Sequence, residues 1–357
     1  MMKKNNYAII MAGGVGSRFW PLSKRELPKQ FLDILGTGET LIQQTVRRLQ
    51  LFCPKENIFI VTNKDYFSLC KEQVPKINKK QILLEPVMRN TAPCIAYASF
   101  KIHEINNDAK IIVAPSDHLI TNDAEYSRII KDAFKAITNK DFIVTLGIKA
   151  NRPDTGYGYI QFDDLNFLEK NENIKKVKTF TEKPSRDLAL QFLDSGDFLW
   201  NAGIFIFTSI AIIKAYKKHL RDMYDIFSSG VDQYNTKKEQ DFINRVFPTC
   251  KNVSIDYGIL EKSDLVYVYP SDFGWSDLGT WISVDNHLQK DSENNFKRGD
   301  QINLYDSKNN LIILEDLKEC VVSGLNGYIV IQSKDSLLIC RKSDEQEIKK
   351  FVNDLKK

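Results

Sequence analysis

No run of about 18 consecutive apolar residues occurs in this 357-residue chain, so neither a membrane span nor a signal peptide is expected. A soluble, cytoplasmic protein without membrane partners is the corresponding expectation. Cysteine is sparse and scattered: Cys53, Cys70, Cys94, Cys250, Cys320 and Cys340 form no CxxC pair and no paired Cys/His spacing. Reduced, mostly buried thiols fit that pattern better than a disulfide framework or a zinc site. Charge of one sign is also lacking. Fifty Lys and Arg against 46 Asp and Glu leave a net charge of +4, too little for a dedicated nucleic-acid binder but compatible with a small polyanionic substrate.

The length allows a large α/β domain plus a smaller module. Val/Ile-rich runs at Tyr7–Met11, Asn57–Thr62, Lys110–Ala114 and Phe142–Gly147 read as strands. Helical spacing at Thr40–Leu51, Ala92–Ile105 and Ser127–Ile137 lies between them. Strands without polar alternation predict a Rossmann-like, mostly parallel sheet flanked by helices. Ligands gather at the carboxyl ends of such strands, where Gly13, Pro115 and Gly147 are expected. Residues 151–279 are less regular and read as a substrate lid with strands at Tyr159–Phe162, Lys175–Thr181 and Gly203–Thr208. Helices are expected at Ala211–His219 and Glu239–Val246. A polar stretch at 291–299 suits a linker, placing a catalytic domain at 1–290 and a small module at 300–357. Four short, evenly spaced strands (Asn310–Leu314, Glu319–Ser323, Tyr328–Gln332, Ser336–Arg341) suggest a small barrel or a few coils of a β-solenoid, closed by a helix at Glu345–Leu355.

Four motifs carry chemistry. Ala12-Gly13-Gly14-Val15-Gly16-Ser17-Arg18 follows the first strand directly, and glycines let backbone N–H groups approach an anion. The third glycine of a dinucleotide fingerprint is replaced by Phe19, and the GK[ST] ending of a P-loop is missing. Arg18, Lys24, Arg25 and Lys29 then crowd one segment stiffened by Pro21 and Pro28, a composition suited to a triphosphate. Glu85 to Pro93 ends in a helix start where Asn90 or Thr91 serves as cap. Asp117, after an apolar strand, and Asp277, between Gly274 and Gly279, are carboxylates that with substrate phosphates and water would make a Mg²⁺ site. Segments 154–159, 180–184 and 200–205 mix carboxylate, amide, ammonium, glycine and aromatic rings, as sugar sites do.

Taken in order, MAGGVGSRFWPLSKRELPKQF (Met11–Phe31), EPVMRNTAP (Glu85–Pro93), APSDHLI (Ala114–Ile120), RPDTGYGYI (Arg152–Ile160), FTEKP (Phe180–Pro184), WNAGIF (Trp200–Phe205), SIDYGILEK (Ser254–Lys262) and GWSDLGTW (Gly274–Trp281) span nearly the whole chain. The set resembles the short bacterial mannose-1-phosphate guanylyltransferases, the GDP-mannose pyrophosphorylases among sugar-1-phosphate nucleotidyltransferases. The resemblance implies transfer of GMP from GTP to α-D-mannose 1-phosphate, with Mg²⁺ as cofactor. Another sugar 1-phosphate or another nucleoside triphosphate is the alternative. It implies that Arg18 and Lys29 hold the triphosphate, with Asp117 and Asp277 on the metal and Asp256 a weaker candidate for a second one. Ala12, Gly13, Gly14, Gly16, Ser17, Glu85, Asn90, Thr91 and Asp117 would bind nucleotide. Gly156, Tyr157, Glu182, Asn201 and Gly203 would hold the sugar, with Lys183 near its phosphate. The terminal strands would form that family's short left-handed β-helix, which implies a homodimer, and no isomerase domain is expected. The family often has Ala where Ser116 and Cys94 stand, and Arg where Lys24 stands.

Overall fold

The computed structural model describes residues 4–14, 16–168 and 171–355; Val15 of the glycine loop lies outside them. The chain forms two compact units. One comprises residues 1–13, 45–116 and 120–275, the other residues 14–44, 117–119 and 276–357. The polar stretch expected as a linker lies inside the second unit and contains a strand, Phe296–Arg298.

The first unit is built on one nine-stranded sheet. In chain order its strands are β1 (Asn6–Ala12), β2 (Ile58–Asn63), β3 (Ile82–Glu85), β4 (Lys110–Pro115), β5 (Ile143–Lys149), β6 (Gly158–Leu168), β7 (Asn171–Glu182), β8 (Phe198–Thr208) and β9 (Val266–Ser271). Their order across the sheet is β3-β2-β1-β4-β8-β5-β9-β7-β6. Pairing is parallel from β3 to β4 and between β5 and β9, while β8 runs antiparallel to β4 and β5. Tyr7, Ile9, Phe59, Val61, Ile111 and Val113 belong to one hydrophobic cluster, together with helix residues from 92–102 and 211–216. The alternating residues Ala8, Ile10, Ile58, Ile60 and Ile112 are equally buried. Burial of both faces is why these strands read as unbroken apolar runs.

The mixed, mostly parallel sheet flanked by helices is as expected; its middle is not. Within the segment 151–279 expected as a lid, β6 to β9 are strands of the main sheet itself. Two corrections follow. Gly147 sits inside β5, not at its end, and a Cβ there would lie 2.6 Å from both Leu199 and Val268, so it serves packing. The helix Arg186–Ser195 was not expected; Ser185 accepts from the Leu188 N–H at its start, and Gly196 at φ 77° ends it. Among the described residues no helix is long and apolar enough to cross a membrane.

In the second unit, β10 (Phe296–Arg298), β12 (Leu311–Leu314) and β14 (Tyr328–Ser333) stack in parallel, as do β11 (Gln301–Tyr305) and β13 (Glu319–Ser323). β15 (Ser336–Arg341) closes against β14 antiparallel. These coils form the small β-helix-like module. A buried asparagine ladder joins successive coils. The Asn295 side-chain oxygen accepts from the backbone and amide nitrogens of Asn310, each at 3.0 Å, and the Asn310 oxygen accepts from Tyr328 N at 2.9 Å. Asn310→Ala should therefore strand several buried groups at once and cost about 3 kcal/mol. The check is a thermal melt, and an unchanged Tm would contradict this role. One face of the β-helix shares a core with the cationic segment. Phe19, Leu22, Ile34 and Leu41 join Leu311, Ile313, Ile329, Ile331, Leu338, Ile348 and Val352 in a single cluster.

Candidate active site

β1, β3, β4 and β9 each end where a site segment begins. β1 stops at Ala12 and the glycine turn follows. Gly16 has φ 69°, and a Cβ on it would lie 2.5 Å from the Lys29 Cβ, so this turn closes over Lys29 only with glycine. A short 3₁₀ turn, Ser17–Phe19, then buries Phe19 edge-on against Trp281, with ring centroids 5.0 Å apart. Arg18 on the same turn is exposed, and its charge bears on Glu345.

Lys29 opens a second 3₁₀ turn, Lys29–Phe31, and is 3% exposed. A buried ammonium must have partners. Its Nζ lies 3.1 Å from Asp117 Oδ2, 2.7 Å from the Asp277 carbonyl oxygen and 5.3 Å from the centre of the Phe19 ring. The structure thus brings Lys29, Asp117 and Asp277 together from segments 88 and 248 residues apart, all inside the second unit. Burial works to raise the Asp117 carboxyl, but the Lys29 ammonium, with His118, outweighs it and holds the group below its ordinary value. Asp277 Oδ1 accepts from Gly279 N at 3.0 Å, and a Cβ on Gly279 would stand 2.4 Å from Oδ2, so the following glycine makes room for this carboxylate.

In the first unit, Glu85 ends β3 and is 5% exposed. Among the described residues its buried Oε1 has no hydrogen-bond partner, and Oε2 faces Gly13, 3.8 Å from where a Cβ would be. Burial pushes the carboxyl up to about 7, against a hydrogen bond from the Cys94 thiol. Asn90, at φ 68°, caps helix Thr91–Ile105 with its side-chain oxygen on Thr91 N. The Thr91 hydroxyl accepts from Ile255 N at 2.9 Å, and Ala92 N donates to Val253 O. Thr91 therefore ties the helix start to the chain leading into Asp256.

The expected sugar residues form a connected set in the same unit. Lys183 N donates to Tyr157 O at 3.1 Å, and the Lys183 ammonium pairs with the Glu182 carboxylate. The Asn201 oxygen accepts from Gly203 N (3.1 Å) and Thr145 Oγ1 (3.0 Å), while its amide donates to Asp256 Oδ1 at 3.0 Å. Gly156 N donates to Asp154, and the Tyr157 ring meets Trp200 and Trp275 edge-on. Burial, and then the nearby Glu182 charge, push Asp256 up to about 7. Sequence reasoning passed over Gly158, where a Cβ would lie 2.4 Å from Glu182 Oε2, and Thr145, which orients Asn201. A hydroxyl in a fully apolar strand was the available signal for Thr145.

Two hard oxygen donors of the second unit, the Asp117 and Asp277 carboxylates, suit a Mg²⁺ ion that takes its other ligands from phosphates and water. Among the described residues no group of three His, Cys, Asp or Glu side chains forms an all-protein metal cage.

Residues 7–294 match the family model for nucleotidyl transferases. The chain is 37% identical over 364 aligned residues to mannose-1-phosphate guanylyltransferase 2 of Escherichia coli O157:H7, covering 98% of this chain and 73% of that protein. It is 35% identical to the alginate biosynthesis protein AlgA of Pseudomonas aeruginosa, covering 97% of this chain and 71% of that protein. Among solved structures it superimposes with a TM-score of 0.86 on one from Thermus thermophilus, described as a mannose-1-phosphate geranyltransferase. That pair is 27% identical, and the match covers 99% of this chain and all of that one.

Proposed function

The chain belongs to the nucleotidyl transferase family, and from that premise we propose that it transfers GMP from GTP to α-D-mannose 1-phosphate, releasing pyrophosphate. The observation that carries the reading is the buried Lys29 ammonium, held between Asp117 and Asp277 by 3.1 Å and 2.7 Å contacts.

The chemistry is one displacement. A phosphate oxygen of the sugar phosphate bonds to the α-phosphorus of GTP, and the bond from that phosphorus to the bridging oxygen of the β-phosphate breaks. A phosphate monoester, with a second pKa near 6, is already anionic at neutral pH, so no general base is required. What the protein contributes is placement and neutralisation of charge. Lys29 and Arg18 supply fixed and mobile positive charge to the triphosphate and the departing pyrophosphate. Asp117 and Asp277 would hold Mg²⁺, which when bound neutralises phosphate charge. Glu182, Asp256 and the oriented Asn201 amide offer the acceptors and donor that sugar hydroxyls need. For the base, Glu85 offers two carboxylate oxygens, matching the N1–H and N2–H₂ donors on one edge of guanine.

The test is a panel of nucleoside triphosphates against sugar 1-phosphates, with pyrophosphate release as readout. GTP with mannose 1-phosphate should give the highest kcat/KM; comparable values for UTP would refute the guanine assignment. Asp277→Ala should lower kcat by about 10³-fold and weaken the response to added Mg²⁺. Full turnover in that variant would remove the two-carboxylate site.

A further inference from the structure

The catalytic trio belongs, with the β-helix, to the second unit, and a β-helix side chain reaches the segment that follows Lys29. Arg298, at the end of β10, points its guanidinium at the segment that follows Lys29. Its Nη1 donates to the carbonyl oxygens of Ile34 at 2.9 Å and Asp33 at 3.2 Å. Ile34 is fully buried, so without Arg298 its carbonyl would lose the donor it has there. Gly36, at φ 71°, completes the fit, since a Cβ there would lie 3.4 Å from the same Nη1. Asp33 in turn ties the loop below it, its carboxylate accepting from Thr37 N and Gly38 N at 2.9 Å and 2.7 Å. Toward the site, Leu32 N donates to Lys29 O at 3.0 Å, so residues 29–34 form one braced run.

We propose that Arg298 is a positioning residue for the transfer reaction: through the Asp33 and Ile34 carbonyls it sets where Lys29 stands relative to Asp117 and Asp277. The β-helix then bears on the catalytic trio at this one residue, Arg298, and is more than an appended module. Apolar contacts such as those of Phe19, Leu22 and Ile34 with the β-helix are non-directional, so by themselves they leave freedom along the surface. A guanidinium bridging two successive carbonyls removes that freedom, because its donors are fixed in one plane. The inference rests on the role given to Lys29 above.

The experiment compares Arg298→Met, Arg298→Lys, Lys29→Met and Val322→Ala in the full chain, measuring kcat, KM for both substrates and Tm. Val322 lies in the other β-helix cluster, with Ile312, Leu314 and Val330, which includes no residue of 14–44. Arg298→Met should lose between about 10- and 100-fold in kcat, the size expected for a displaced catalytic group, with KM for the sugar phosphate within twofold. Arg298→Lys should recover part of the loss, and Val322→Ala should lower Tm while keeping kcat. If Arg298→Met does not fold, the same kcat-against-KM split is read from Arg298→Lys. A kcat within twofold of the parent in the folded Arg298 variants, with Lys29→Met inactive, overturns the proposal. So does an equal kcat loss in Val322→Ala at matched Tm. Full activity in Lys29→Met would instead overturn the reaction assignment itself.

Discussion

Replacing Lys29 by Met is expected to lower kcat by about 10³-fold while the protein still folds. Met keeps the length of the aliphatic stem, so packing against Gly16 and Phe19 survives; what goes is one positive charge between two carboxylate-bearing residues. In a site this buried the lost charge acts at low effective dielectric, and solvent does little to replace it. The KM for the sugar phosphate should hardly move, because the residues proposed to hold it, Glu182, Asn201 and Asp256, keep their own contacts in the variant. A second consequence concerns acid. The Asp117 carboxyl is held below its ordinary value chiefly by this ammonium against the opposing pull of burial. In the parent, Asp117 stays ionised until pH falls below the usual carboxylate range, and the stabilisation it gives is lost only there. Without Lys29, burial acts unopposed by it and the group protonates at higher pH. The acid limb of the rate profile should therefore move toward neutrality in Lys29→Met. Steady-state kinetics across pH decide both points; a kcat within tenfold of the parent would sink the role given to Lys29.

How much of this was legible beforehand differs from residue to residue. The glycine turn, Lys29, Asp117 and Asp277 stand in short motifs whose composition already suggests phosphate and metal, so their identity could be read locally. Their meeting could not, since it joins segments 88 and 248 residues apart. β1, β2, β4 and β5 were legible because burial on both faces makes them largely apolar. β8 was partly hidden because it carries Asn201 at its centre, a polar residue that belongs to the site and not to the core. β3 escaped because four residues are too few to show a period. The shared core of the segment 14–44 and the β-helix had no local signature at all. Phe19, Leu22 and Ile34 look like ordinary loop apolars until Leu311, Ile329 and Leu338 are seen against them. Gly158 shows the same limit: it stands within the Arg152–Ile160 motif, yet only the Glu182 carboxylate 2.4 Å from its missing Cβ explains why glycine must be there.

Glu85→Gln is expected to lower kcat/KM for GTP by about 10²-fold and to narrow the gap to UTP. The carboxylate presents acceptors only, which matches the paired N–H donors of guanine; a carboxamide replaces one acceptor with a donor aimed at the guanine amino group. Uracil, with one ring N–H beside a carbonyl, complements the carboxamide instead. The native residue also predicts a pH dependence of definite sign. Burial raises its carboxyl to about 7, so in the free protein it is largely protonated at pH 6 and ionised at pH 8. Guanine needs the ionised form, and KM for GTP should rise roughly tenfold per unit as pH falls below that value. The sugar phosphate and the triphosphate titrate in the same region, so the diagnostic quantity is the difference between parent and variant. Glu85→Gln has nothing to titrate there, and its KM for GTP should follow only the ligands' own protonation. Parallel pH profiles for the two proteins would show that Glu85 does not read the base, whatever the variant does to the rate.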